Sequence, residues 1–257
     1  EKRFGFIAVI GPPNAGKSTL SNALVGQKVA IVTHKAQTTR ARLRAVVMHE
    51  QSQVVLVDTP GIFSGVKKLD KAMVQEAWSG VEEADAVLVV LDASRALPAE
   101  TELVLAGVKN TSKLVILVLN KVDAVKREKL LELTQQLNKV ANFADTFMVS
   151  ALKETGLEEL KSYLAQLVPE GPWHYPEDMA ADVPSLLLAA EVTREKLFLR
   201  LHQELPYALT VETDSWKRQK DGSVRLEQVI FVRRDSQKAI VLGKRGQSIR
   251  EIGSQAR

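Results

Sequence analysis

The hydrophobic positions of the chain fall into two alternating patterns as far as residue 168. Short apolar runs occupy Phe4–Ile10, Arg42–His49, Gln53–Asp58, Ala86–Asp92, Lys113–Asn120 and Thr146–Ser150. Between them, apolar residues recur at helical spacing near Lys17–Val25, Leu69–Glu83, Ala99–Lys109, Arg127–Ala141 and Leu157–Leu167. Strand-sized runs between helical stretches predict βαβ units, and hence an α/β domain with a mostly parallel six-stranded sheet and helices on both faces. Most of the runs are rich in Val and Leu with little alternation, as strands covered on both sides must be. Arg42–His49 alternates better and directly precedes Gln53–Asp58, so these two are expected to pair as an antiparallel hairpin at one edge. In such a sheet, ligands bind beyond the carboxyl ends of the strands.

After residue 168 the pattern changes. Pro169 opens a stretch with four prolines that closes at Pro184, which reads as a linker over 169–184 between a first domain (1–168) and a second (185–257). Trp173 and Tyr175 are expected to pack that linker onto a domain. The second domain reads as α+β. A helix over Leu186–Leu205 comes first, then extended segments at Ala208–Trp216 and Val224–Arg233 joined through Lys220, Asp221 and Gly222. A helix over Gln237–Leu242 follows, is interrupted by Gly243, Lys244, Arg245 and Gly246, and resumes over Gln247–Ile252.

The 257 residues suffice for two domains, and 45% hydrophobic with 26% charged residues is a globular composition. The absence of cysteine excludes disulfides, thiolate zinc sites and cysteine nucleophiles, and fits a reducing compartment. The four histidines stand in no metal-ligand spacing, and no apolar run is long enough to span a bilayer. No secretory signal is visible, and the start at Glu1 implies a missing initiator segment. Charge is divided unevenly. Residues 1–182 hold 21 Lys and Arg against 22 Asp and Glu, whereas residues 183–257 hold 14 against 9. A near-neutral first part with a basic end suggests an enzyme or switch joined to a module that binds polyanions.

The chemistry gathers at the strand ends. Gly11, Pro12, Pro13, Asn14, Ala15, Gly16, Lys17 and Ser18 satisfy GxxxxGKS/T, and they stand between a strand-like run and a helix that begins with Thr19. Glycines let successive backbone N–H groups face inward, and the helix N-terminus adds its positive dipole end, so phosphate oxygens belong there. Lys17 would reach the β- and γ-phosphates, and the Ser18 hydroxyl would ligate Mg²⁺. Asp58, Thr59, Pro60 and Gly61 end the third strand-like run. The carboxylate can hold Mg²⁺ through water, and the Gly61 N–H can contact a γ-phosphate. Asn120, Lys121 and Asp123 end the fifth run, and Ser150, Ala151 and Leu152 the sixth. A carboxylate at Asp123 would accept from the N1–H and N2–H₂ of guanine. Adenine offers neither donor, so this pattern selects guanine nucleotides, GTP and GDP.

The elements GPPNAGKS, DTPG, NKVD and SAL resemble those of the translation-factor-like GTPases. Residues Lys35 to Arg40 (KAQTTR), the linker and Asp235 to Gly246 (DSQKAIVLGKRG) resemble the Era family in particular. That resemblance covers nearly the whole chain. It implies a P-loop GTPase domain followed by a type II KH domain that binds small-subunit ribosomal RNA near its 3′ end during assembly of the small ribosomal subunit. A complete KH domain would continue through a longer helix and a last strand, so the module is expected to be incomplete at its C-terminal end. The resemblance places switch I near Val32–Arg40, where Thr39 would ligate Mg²⁺ and sense the γ-phosphate. Spacing alone does not separate Thr39 from Thr38.

Ile62 stands where many GTPases carry a glutamine that orients water, and an aliphatic side chain cannot do that. Asn14 matches the asparagine with which potassium-responsive relatives hold K⁺ near the phosphates. An ordinary turn residue tolerant of unusual φ/ψ is an equal reading. In KH modules a loop like Gly243–Gly246 clamps a single-stranded backbone, with Lys244 and Arg245 for its phosphates. The expected protein is a cytoplasmic monomer, with peripheral contact to the inner face of the cell membrane among the family's reported properties. Two other functions stay open at this point: an RNA-binding protein whose nucleotide pocket is structural, and a related GTPase of transfer-RNA modification.

Overall fold

The computed structural model describes residues 1–27, 29–30, 43–58, 77–179, 185–201 and 209–257. Of these, residues 1–179 belong to one compact unit and 185–257 to another.

The first unit is built on six strands: β1 (Arg3–Ile10), β2 (Leu43–His49), β3 (Ser52–Asp58), β4 (Ala86–Asp92), β5 (Leu114–Asn120) and β6 (Asp145–Met148). Their order across the sheet is β2-β3-β1-β4-β5-β6. β1 runs parallel to β3 and β4, β5 is parallel to β4 and β6, and only β2 is antiparallel, paired with β3 at the edge. The helices are α1 (Lys17–Val25), the helical residues 77–83 (α2), α3 (Glu100–Lys109), α4 (Arg127–Val140) and α5 (Leu157–Leu167).

Alternation along the strands sends side chains to two cores. Ile7 and Val9 pack with Leu20 and Leu24 of α1 and Leu160 and Leu164 of α5. Ala8 and Ile10 pack with Val81, Val104 and Leu137 from α2, α3 and α4. Each fully buried Leu, Ile or Val stabilises the unit by roughly 1.5–3 kcal/mol, so both layers hold the strand ends in register.

One expectation needs adjusting. Strand β6 is shorter than the apolar run predicts. Ser150 leaves the ladder to exchange both backbone hydrogen bonds with Thr155, each 3.1 Å, which turns Ala151 and Leu152 back toward the sheet end. The described part of the predicted linker, 169–179, packs onto the first domain, as expected of Trp173 and Tyr175. The buried Gln53 amide accepts the N–H groups of His174 and Tyr175 (3.1 and 3.0 Å) and donates to the Tyr175 carbonyl (2.9 Å). Gly171 N–H bonds to the Lys2 carbonyl, Trp173 Nε1 donates to Gln51 O, and His174 stacks on Phe4. A buried amide left unpaired would cost about 1–3 kcal/mol, which is why Gln53 holds this strap.

The second unit contains α6 (Ser185–Arg200), a two-stranded antiparallel sheet of β7 (Leu209–Arg218) and β8 (Val224–Val232), then α7 (Asp235–Leu242) and α8 (Gln247–Gln255). Its core joins Ala190, Leu197, Leu209, Val211, Val241 and Ile252. Helix α7 starts two residues before its apolar pattern, because Gln237 Oε1 accepts the N–H groups of Arg233 and Arg234 at 2.9 and 3.0 Å. Among the described residues, no helix is long and apolar enough to cross a membrane.

Candidate functional site

The turn between β1 and α1 is shaped by close approach and by positive φ. A Cβ on Gly11 would meet the Val90 carbonyl oxygen at 2.3 Å, so the loop leaves the sheet against the backbone of β4. Gly16 has φ 94°, and a Cβ there would meet Asn120 Nδ2 at 2.2 Å. Asn14 takes φ 61°, a left-handed conformation that Asn tolerates better than most residues. Inside this turn Lys17 is buried, with its Nζ donating to the carbonyls of Gly11 (3.2 Å) and Pro12 (3.0 Å). Burial pushes the Lys17 ammonium from the ordinary 10.5 down to about 8, against the opposing pull of the Asp58 carboxylate. A desolvated ammonium held by neutral carbonyls is a site that an anion improves.

Ser18, in the first turn of α1, donates its hydroxyl to Asp58 Oδ2 at 2.8 Å. Asp58 is the last residue of β3 and is fully buried. Both groups are hard oxygen donors, so the pair would suit Mg²⁺, with the Ser18 hydroxyl as ligand and the Asp58 carboxylate acting through water. Mg²⁺ would there neutralise the charge on a polyphosphate. Thr38, Thr39, Thr59, Pro60, Gly61, Ile62 and the expected switch I lie outside the described residues.

The NKVD element divides its labour. Asn120 is buried and makes three bonds within the protein. Its Nδ2 donates to Ala15 O (3.1 Å), and its Oδ1 accepts from the N–H groups of Lys121 (2.8 Å) and Ala151 (3.0 Å). It braces the phosphate loop against both base-side turns. Lys121, at φ 65°, reaches back with its Nζ to the Asn14 carbonyl (2.9 Å). Asp123 lies exposed in a 3₁₀ turn over Val122–Ala124, open to a ligand. In the SAL turn, Ser150 and Ala151 are buried and Leu152 is 75% exposed. The Ser150 hydroxyl accepts the Lys153 N–H, and the Ala151 N–H is engaged by Asn120.

Sequence reasoning overlooked Asp92, at the end of β4. Its Oδ2 accepts from Lys121 Nζ at 2.7 Å and pairs with Arg95 Nε at 3.1 Å, while Oδ1 accepts from Ser94. Burial raises its pKa, but the hydrogen bonds from Lys121 and Ser94 outweigh that and hold the carboxyl below its ordinary value. Its place at a strand end on the ligand side was the available signal.

In the second unit the glycine-flanked loop takes the left-handed region at Gly243 (φ 71°), Arg245 (φ 53°) and Gly246 (φ 74°). A Cβ on Gly243 would meet Ser248 Cβ at 2.6 Å. The side chains of Lys244 and Arg245 are exposed, and Arg200 of α6 holds α8 beneath them through Ser248 Oγ (3.1 Å) and an ion pair with Glu251.

A phosphate loop at the end of β1, a carboxylate at β3, a base-reading turn at β5 and a separate glycine-loop module define a P-loop GTPase joined to a KH domain. A family model described as 50S ribosome-binding GTPase matches residues 6–121, and one described as KH domain matches residues 204–257. The chain is 55% identical over 255 residues to the GTPase Era of Agrobacterium fabrum, covering 99% of this chain and 80% of that protein. It is 57% identical over 257 residues to GTPase Era of Bradyrhizobium sp. BTAi1, covering 100% and 83%. The crystal structure of Era in complex with MgGDPNP and nucleotides 1506–1542 of 16S ribosomal RNA superposes with a TM-score of 0.93 at 36% identity, covering 100% of this chain and 88% of that one. An Aquifex aeolicus Era variant bound to GDP·AlF₄⁻ gives 0.92 at 36% identity, covering 99% and 87%. The chain belongs to the Era family of GTPases.

Proposed function

We propose that this GTPase couples its nucleotide state to binding of small-subunit ribosomal RNA near the 3′ end, and acts in assembly of the small ribosomal subunit. What carries the reading is the presence in one chain of a braced guanine-nucleotide site and an exposed Lys244–Arg245 pair on a KH glycine loop. The likeness to Era bound to both MgGDPNP and 16S ribosomal RNA supports it. GTP would lie over the phosphate loop with its base at Asp123, and Ser18 and Asp58 would hold Mg²⁺. Thr39 is proposed as the further Mg²⁺ ligand of switch I.

The left-handed backbone of Asn14 suits a turn residue, and its carbonyl is already engaged by Lys121. Its side chain is the proposed holder of K⁺, and that cation would stand where an arginine finger stands in other GTPases. On this reading the protein works as a cytoplasmic monomer on the small subunit, and any contact with the inner membrane face is peripheral.

The test is GTP turnover with and without a 16S 3′-terminal RNA fragment, in potassium and in sodium. RNA stimulation is expected, together with faster turnover in potassium that Asn14→Ala removes. Turnover indifferent to RNA, in a protein that does not bind the fragment, would overturn the coupling. Equal rates in both salts would leave Asn14 as a turn residue. Co-sedimentation with small subunits and with anionic vesicles at low salt separates the two proposed locations.

A further inference from the structure

We propose that Asp92 is a positioning residue of the nucleotide site: it fixes Lys121 across the phosphate loop and so sets how long the bound nucleotide stays. The two residues come from neighbouring strand ends, since Asp92 is paired in register with Asn120. The Asp92 side chain is 4% exposed, and each of its oxygens has two partners: Ser94 N and Oγ on one, Lys121 Nζ and Arg95 Nε on the other. The Ser94 bonds are those of an ordinary turn at a strand end. The Lys121 bond is not, because that side chain arrives from 29 residues away to share its ammonium between Asp92 and the Asn14 carbonyl.

The arrangement holds two left-handed conformations in place. Lys121 sits at positive φ, which is unfavourable for a long side chain, and Asn14 shares that region, which it tolerates better than most residues. One ammonium ties them together, and the carboxylate behind it fixes its direction. Without Asp92, Lys121 has no anion to hold it extended, and Asn14 loses the donor that pins its carbonyl. Both the phosphate loop and the base-side turn then relax.

The sign of the effect separates this role from a simple field effect. Neutralising a carboxylate next to a polyanion should tighten binding by Coulomb's law alone. Losing a positioning bond should weaken it.

The experiment is stopped-flow release of a fluorescent GDP analogue from the full chain. Asp92→Asn is expected to speed release at least about tenfold, the effect of a lost hydrogen bond to a charged group. KM for GTP should rise while kcat at saturation stays near its starting value. Asp92→Glu, which keeps the charge, should restore most of the residence time. Lys121→Met should speed release as well, and adding Asp92→Asn to it should change nothing further. Release within twofold of the unaltered protein, slower release, or effects that multiply in the double variant would overturn the proposal. If Asp92→Asn fails to fold, Lys121→Met carries the test by itself, and release from it within twofold of the unaltered protein would overturn the proposal. The inference rests on the guanine-nucleotide reading, whose own failure would show as no GDP binding by the unaltered protein.

Discussion

Asn120 Oδ1 accepts the Ala151 N–H at 3.0 Å, and the same side chain donates to Ala15 O at 3.1 Å. One buried amide thus joins the phosphate loop to the turn that follows β6. Asn120→Ala leaves the Ala15 carbonyl and the Ala151 N–H without that partner, at about 1–3 kcal/mol for each buried group left unsatisfied. Urea denaturation of the nucleotide-free protein should show a loss of that order, and GDP affinity should fall as well. Unchanged stability would mean that water replaces the amide.

The Lys17 ammonium, lowered to about 8 by burial, predicts a pH dependence of binding. Phosphates favour the charged form, so the free protein must take up a proton on binding above pH 8. Affinity for GDP should be level below pH 7 and then fall up to about tenfold per unit above 8, because one proton is linked to binding. The stability of the free protein should run the opposite way. A lysine lowered from 10.5 to about 8 penalises the fold below pH 8, and that penalty is relieved as pH rises through 8 toward 10.5. Titrations at several pH values in two buffers of different ionisation enthalpy would detect the proton.

Asp123 stands exposed in its 3₁₀ turn, free to accept two hydrogen bonds from guanine. Asp123→Asn replaces one acceptor with a donor and should shift preference from GTP toward XTP. Competitive titration of the two nucleotides checks it. Selectivity unchanged by the substitution would remove Asp123 from the base site.

Lys244 and Arg245 lie exposed on a tight loop and should meet RNA phosphates before bases. Changing both to Asp should weaken RNA binding at every sequence. On single strands each lost phosphate contact lowers the log–log salt slope by about 0.7, so the two together predict a change near 1.4. Intrinsic GTP turnover should not move, whereas any stimulation by RNA should disappear. Wild-type RNA affinity at two salt concentrations would exclude this loop from the interface.

Much of this protein is legible along the chain because its signals are local. The Val- and Leu-rich runs declare buried parallel strands, and GPPNAGKS between a strand and a helix declares a phosphate loop. The alternation of Arg42–His49 places the antiparallel edge strand, and the excess of Lys and Arg after residue 183 marks the module apart. What only the tertiary structure decided are bonds between positions far apart in sequence: Asn120 to Ala15, Lys121 to Asp92, and Gln53 to the strap at Tyr175. No local pattern encodes these partners. Each is a polar side chain whose partner is set by which distant segments the folded sheet brings together. The strand order is a property of the packed sheet, in which β1 lies between β3 and β4 and β5 lies beside β4. Periodicity states that a residue is buried, and the sheet order then decides which neighbour must satisfy it.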